Sequence, residues 1–155
     1  MSAERRPKGE AKEAMGKQAG DGDLDFRDRS ALEAVRGLLE AYARGDADAG
    51  ETFVHLPTSE IIEWKGLANI WHASVDEFRQ TVEAHREEPL TQTPVGAEVE
   101  WISDLTALVR MRVKTSLQDG RSFESPALFL VAPDRTGIFK VALSWWGAFP
   151  DWFQG

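Results

Sequence analysis

From residue 99 onward, apolar and polar side chains alternate with a period of two, the pattern of half-buried strands. Val99 and Trp101 end one such segment. Val109, Met111 and Val113 alternate with Arg110, Arg112 and Lys114 on the next. Phe123, Ser125, Ala127, Phe129 and Val131 form the inward set of a third, and Phe139, Val141, Leu143 and Trp145 that of a fourth. Earlier in the chain the period is helical. Leu32, Val35, Leu39 and Tyr42 recur on one face, with Leu38 widening the stripe. Asp28 or Ser30 is placed to cap this helix, and Gly45 ends it after Arg44. Asp46 caps a short second helix over residues 47–52. Ser74-Val75-Asp76-Glu77 is a capping box opening a third, with Val75, Phe78, Val82 and His85 on one face. Between them, residues 60–64 read as a short strand that ends at Lys65-Gly66.

Loop lengths follow from keeping apolar side chains on one face. A three-residue loop, Gln118-Asp119-Gly120, pairs Val113 with Ser125 and Met111 with Ala127, with Gly120 free to take the left-handed conformation. The same parity places Trp101 opposite Leu105 and Phe129 opposite Val141. The expected fold is α+β: two or three helices on a curved antiparallel sheet, whose last four strands form a meander with one apolar face. The other face carries Glu98, Glu100, Arg110, Arg112, Lys114, Glu124 and Lys140, with Lys114 opposite Glu124.

Composition refines this picture. Residues 1–25 hold almost no large apolar side chain, so burial cannot offset their ordering entropy; they are expected to be a disordered arm ahead of one domain over residues 26–155. Six Trp and eight Phe among 155 residues demand a thick core, a lined cavity or an interface. The absence of cysteine excludes disulfides and thiolate chemistry. A net charge of −8 repels phosphate backbones and anionic membranes, so no nucleic-acid or membrane partner is expected. Neither a signal-peptide run nor a spanning apolar stretch is present, and a cytoplasmic location is expected.

Few residues point to chemistry. His55 and His72 lie in segments read as irregular, where sites concentrate, and a neutral imidazole suits proton transfer near neutral pH. The histidines lack metal-ligand spacing, so neither metal nor cofactor is expected. Ser125 is the one polar residue in the inward stripe of its strand, placed either to orient a ligand or to bond to a neighbour. Trp64, Trp71, Trp101 and Trp145 suit a cavity wall and plain core packing equally. Trp146, Phe149 and Trp152 make an aromatic C-terminal end that either folds over a cavity mouth or enters a partner.

The arrangement resembles the cone-shaped fold of the nuclear transport factor 2-like superfamily, in particular its SnoaL-like and lumazine-binding-like bacterial members. The resemblance rests on residues 38–46, the strand Ile61-Ile62-Glu63-Trp64, the helix from Val75, residues 107–113 and 119–124, and the final strand over 137–144. It spans residues 28–149. It implies a homodimer with a pocket between helices and concave sheet. Ketosteroid-isomerase-like members use a Tyr and acidic residues in that pocket. Here Tyr42 is the only Tyr, and sheet parity leaves no carboxylate on the inner side of the last three strands. The expected function is binding of a small, largely apolar molecule by Tyr42, Trp64, Trp71, Phe78, Trp101 and Met111, with Ser125, Phe129 and Trp145. Any catalysis is expected to be proton transfer by His55 and His72, of isomerase, cyclase or dehydratase type. A non-catalytic interaction domain using the aromatic C-terminus is the alternative.

Overall fold

The computed structural model describes residues 25–153, so the expected N-terminal arm lies almost wholly outside the described residues. The chain runs through helices α1 (Phe26–Arg44) and α2 (Ala47–Thr52), strands β1 (Val54–Trp64) and β2 (Leu67–Ala73), helix α3 (Val75–Ala84), and strands β3 (Leu90–Trp101), β4 (Ala107–Leu117), β5 (Ser122–Pro133) and β6 (Phe139–Phe149). The strands form one six-stranded sheet in the order β2-β1-β6-β5-β4-β3. Four features of this reading match the sequence pattern closely: α2, the helix caps at Gly45 and Ser74, and the β4–β5 pair. The sheet is not purely antiparallel, because β1 runs parallel to β6. Among the described residues, no helix is long and apolar enough to cross a membrane.

α1 begins earlier than its apolar stripe. Asp25 is the cap, accepting from the Asp28 amide at 2.7 Å, and Asp28 instead accepts from the Trp101 indole N–H at 2.6 Å. Its inner face buries Leu32, Val35 and Leu39 against Val109, Met111, Phe129 and Val131. Gly45 closes the helix at φ 67, where Arg86 packs against it, a left-handed position natural for glycine. In α3 the capping box forms as expected, and Phe78 and Val82 are buried, but Val75 faces solvent.

Each of the three hairpins after α3 has a three-residue loop. The β4–β5 register is the expected one: Val113 pairs with Ser125, Met111 with Ala127 and Lys114 with Glu124. The other two slip by two residues, because local side chains fix their turns. Ser103 Oγ accepts from the Leu105 and Thr106 amides, so Trp101 pairs with Ala107 rather than Leu105. Asp134 accepts from the Thr136 and Ile138 amides, so Pro133 pairs with Phe139. These bonds, the Thr136 hydroxyl foremost, hold the Asp134 carboxyl well below its ordinary pKa.

A bulge then changes the final strand. Val131 pairs with Val141 but Leu130 pairs with Leu143, so Ala142 is an extra residue in β6. Beyond it the parity inverts. Ser144 and Trp146 face inward and are buried, Phe129 pairs with Ser144 instead of Val141, and Leu143 and Trp145 turn to the outer face. Trp145 there donates to Glu63 at 3.0 Å.

Candidate functional site

The helices do not cover the inner sheet face evenly. α1 packs mainly on β3 and also reaches β4, β5 and β6, and it fills that half of the cone. Toward β1, β2 and α3 the space stays open as a cavity of about 500 Å³. Leu38, Leu39 and Tyr42 of α1 form one wall, and Phe78 of α3 another. Thr58, Glu60, Ile62 and Trp64 present the inward side of β1, each two residues from the next, as a pleated strand requires. Ser144, Trp146 and Phe149 come from β6 and Phe129 from β5.

The C-terminal segment closes one side. Phe149 and Phe153 line the cavity, and Trp64 Nε1 donates to the Pro150 carbonyl at 3.0 Å. Phe123 packs edge-on against Phe149, Trp152 and Phe153, and the Arg121 guanidinium lies over the Trp152 ring. The aromatic end therefore folds back onto its own domain.

Of the residues singled out from sequence, Tyr42, Trp64, Trp71, Phe78 and Phe129 line the cavity. Trp101, Met111, Ser125 and Trp145 do not. Trp101 packs edge-on against Phe139 under Arg27, at the filled end. Met111 is core. Ser125 is fully buried with an unpartnered hydroxyl, away from the cavity. The two histidines do not form a pair in the site. His55 lies within β1, not in an irregular segment, and its Nε2 donates to the Ala132 carbonyl at 2.9 Å. His72 lies within β2 and reaches the cavity rim, but its imidazole shares a 2.8 Å hydrogen bond with Ser59. Ser59 alternates with the inward Glu60, so that imidazole sits on the outer face.

The group that sequence reasoning missed is Glu60. It supplies the inward carboxylate that the last three strands lack. Ser144 Oγ donates to its Oε2 at 3.4 Å. The buried Trp146 indole N–H faces the same carboxylate but completes no hydrogen bond to it or to any other group. Burial pushes the Glu60 pKa up, and these two donors oppose that rise in part. Burial, and next the Glu60 charge, also push up the Tyr42 phenol, which stays protonated as a donor. The only sequence signal for Glu60 was its even spacing with Ile62 and Trp64, which the adjacent Ile61-Ile62 pair obscured. Ser144 and Trp146 were hidden by the bulge at Ala142. The site thus joins an apolar chamber to a carboxyl of raised pKa and a phenol. Among the described residues, no cluster of three metal-ligating side chains occurs.

No protein-family model and no curated protein sequence matches the chain. Solved structures do. A nuclear transport factor 2-like protein from Cytophaga hutchinsonii is 18% identical with a TM-score of 0.63, over 81% of this chain and 100% of that one. A ketosteroid isomerase-like protein from Erwinia carotovora atroseptica is 18% identical with a TM-score of 0.57, over 82% and 99%. The association domain of calcium/calmodulin-dependent protein kinase II from C. elegans is 14% identical with a TM-score of 0.64, over 79% and 95%. At these identities the likeness is one of architecture, and the chain has the cone-shaped fold of the nuclear transport factor 2-like superfamily.

Proposed function

We propose that the protein binds a small, largely apolar molecule in the cone, with Glu60 as the group that exchanges a proton with it. One observation carries this reading: a carboxyl with a raised pKa stands on the wall of a cavity large enough for a bicyclic ring system. Apolar walls supply affinity, and Tyr42, Glu60 and Ser144 supply the few polar contacts that orient a ligand. Proton transfer in an isomerisation, cyclisation or dehydration falls to Glu60 here, with the Tyr42 phenol facing developing oxygen charge, rather than to the histidines. The test is a titration with 2-acetylnaphthalene, read by the fluorescence of Trp64, Trp71 and Trp146 on the cavity wall. A saturable change in the native protein, lost in Ala73→Trp, supports the reading. No change in the native protein refutes it.

We propose a homodimer through the outer sheet face, which no helix among the described residues covers. In register across it, Ile70, Ile61, Trp145 and Leu128 form one row, and Leu143 and Leu130 lie in the next. Toward β3 and β4 the face turns polar, with Arg110 bonded to Glu100 and Arg112 to Glu124 at 3.1 Å. The bulge at Ala142 creates this apolar strip by turning Leu143 and Trp145 outward. Sedimentation equilibrium at tens of micromolar is expected to give a dimer for the native protein and a monomer for Trp145→Glu. A native monomer refutes the pairing.

A further inference from the structure

The surroundings of Glu60 narrow the ligand class. Across the inner sheet face, Trp71 of β2 pairs directly with Glu60, which pairs with Ser144 of β6, which pairs with Phe129 of β5. Trp146 stands one pleat along, beside Ile62, and Tyr42 comes down from α1. The carboxyl is therefore set among aromatic side chains rather than among cations. Among the described residues lining the cavity there is no Lys and no Arg. The ionisable groups there are Tyr42 from α1, Glu77 from α3 and His72 from β2; β5 and β6 contribute none. Glu77 is held at the rim by its bond to the Ser74 amide, and the His72 imidazole is turned outward onto Ser59.

From this arrangement, and resting on the cavity reading above, we infer that the ligand is an apolar amine, bound as its cation between Glu60 and the surrounding rings. Three physical arguments converge. A cation gains from the carboxylate and from the aromatic rings of Trp71 and Tyr42 on the same cavity wall together. An anionic ligand meets Glu60 and Glu77 with no basic side chain to offset them. A neutral carbonyl ligand requires Glu60 to remain protonated and to donate. The two polar groups already beside it, the Ser144 hydroxyl and the Trp146 N–H, are donors that favour its anion instead. Burial raises the pKa of that carboxyl, and the two donors beside it favour its charged form. An ammonium ion beside Glu60 favours its carboxylate form, and any proton it displaces leaves to solvent.

Isothermal titration calorimetry on the full chain tests this with three probes built on one ring system: N,N-dimethyl-1-(naphthalen-2-yl)methanamine, 2-acetylnaphthalene and 2-naphthylacetate. Each is titrated at a pH between the ordinary carboxylate range and neutrality, in two buffers of different ionisation enthalpy. The amine is expected to bind at least about tenfold more tightly than the ketone, with the carboxylate weakest. Amine binding is expected to release up to one proton, and ketone binding none. Glu60→Gln is expected to bring amine affinity down to that of the ketone and to abolish the proton release. If ketone and amine bind equally and without proton release, the amine assignment falls while the cavity reading stands. If none of the three binds, both fall.

Discussion

Replacing Glu60 with Gln should change the pH dependence of stability in a way that isolates this one group. The substitution keeps the shape and hydrogen-bonding capacity of the side chain and removes its titration. In the folded chain, burial raises the Glu60 pKa above its unfolded value, which is about 4.3 for an unperturbed Glu. The folded state therefore holds a proton that the unfolded state has already released between those two values. Stability from this group is fully present below the unfolded pKa and is lost as pH rises through the folded one. Within that window the slope reaches at most about 1.4 kcal/mol per pH unit, since a single proton is involved. Tyr42 adds nothing there, because burial and the Glu60 charge keep its phenol protonated. The assay is urea unfolding of both proteins from about pH 4 to about pH 8, taking the difference in unfolding free energy at each pH. All other titrating groups cancel in that difference. The native protein should lose ground to the Gln variant as pH rises, and the difference should then level off above the folded pKa. A difference that stays flat across the range refutes the claim that Glu60 is desolvated in the cavity wall.

Three further substitutions test other parts of the fold by the same unfolding measurement. Ser74→Ala removes the reciprocal capping of α3, in which Ser74 Oγ accepts from Glu77 N at 3.3 Å, and should cost about 1 kcal/mol; a loss below a few tenths contradicts the capping assignment. Gly45→Ala places a Cβ 2.4 Å from Arg86 Cγ and 2.9 Å from its backbone nitrogen, at a left-handed φ, and should cost about 1–2 kcal/mol or more; an unchanged midpoint refutes the close approach of α1 to the turn after α3. Ser125→Ala removes a buried hydroxyl with no partner and should be neutral or stabilising by up to about 1 kcal/mol; a clear destabilisation shows that the hydroxyl is bonded in solution.

The β4–β5 pair was legible residue by residue because three constraints agreed there: strict alternation, a Gly at the left-handed loop position, and opposite charges across the outer face. The other hairpins show what happens with fewer constraints. Parity survived in the β3–β4 pair, but the Ser103 side chain moved the register by two residues. In β6 even parity failed. A bulge leaves no mark in a strand whose neighbouring positions, Leu143 to Trp146, include apolar side chains of both parities. β2 was read as an irregular segment because it is an edge strand with Leu67, Ile70 and Trp71 all largely exposed. No half-buried pattern exists there to be seen.

These failures are not scattered; they surround the cavity. Alternation is strongest where a strand has one face packed on a helix and the other in water, which describes β4 and β5 beneath α1. Hence the apolar residues most readily picked from sequence, Met111 and Trp101 among them, belong to the filled half of the cone. A cavity wall obeys a different rule. Its inward side chains face open space instead of packed atoms, so polar residues such as Thr58, Glu60 and Ser144 are tolerated among apolar ones, and the pattern weakens. The groups that give this wall its chemistry also come from distant parts of the chain. Glu60 and Ser144 are 84 residues apart and meet through the one parallel pairing in the sheet, between β1 and β6. The Ala142 bulge turns Ser144 and Trp146 inward, toward Glu60, and turns Trp145 outward to Glu63. One extra residue in one strand therefore shapes both faces: the donors beside the cavity carboxyl and the apolar strip proposed to join two copies. Deleting Ala142 should remove the bulge by joining Val141 directly to Leu143 in regular alternation, and leave Ser144 and Trp146 inward and Trp145 outward. Retention of ligand binding and of the dimer, in a variant that still shows cooperative unfolding, is the expected outcome. Loss of both would show that the two faces depend on the bulged geometry itself and not on the parity of the residues that follow it.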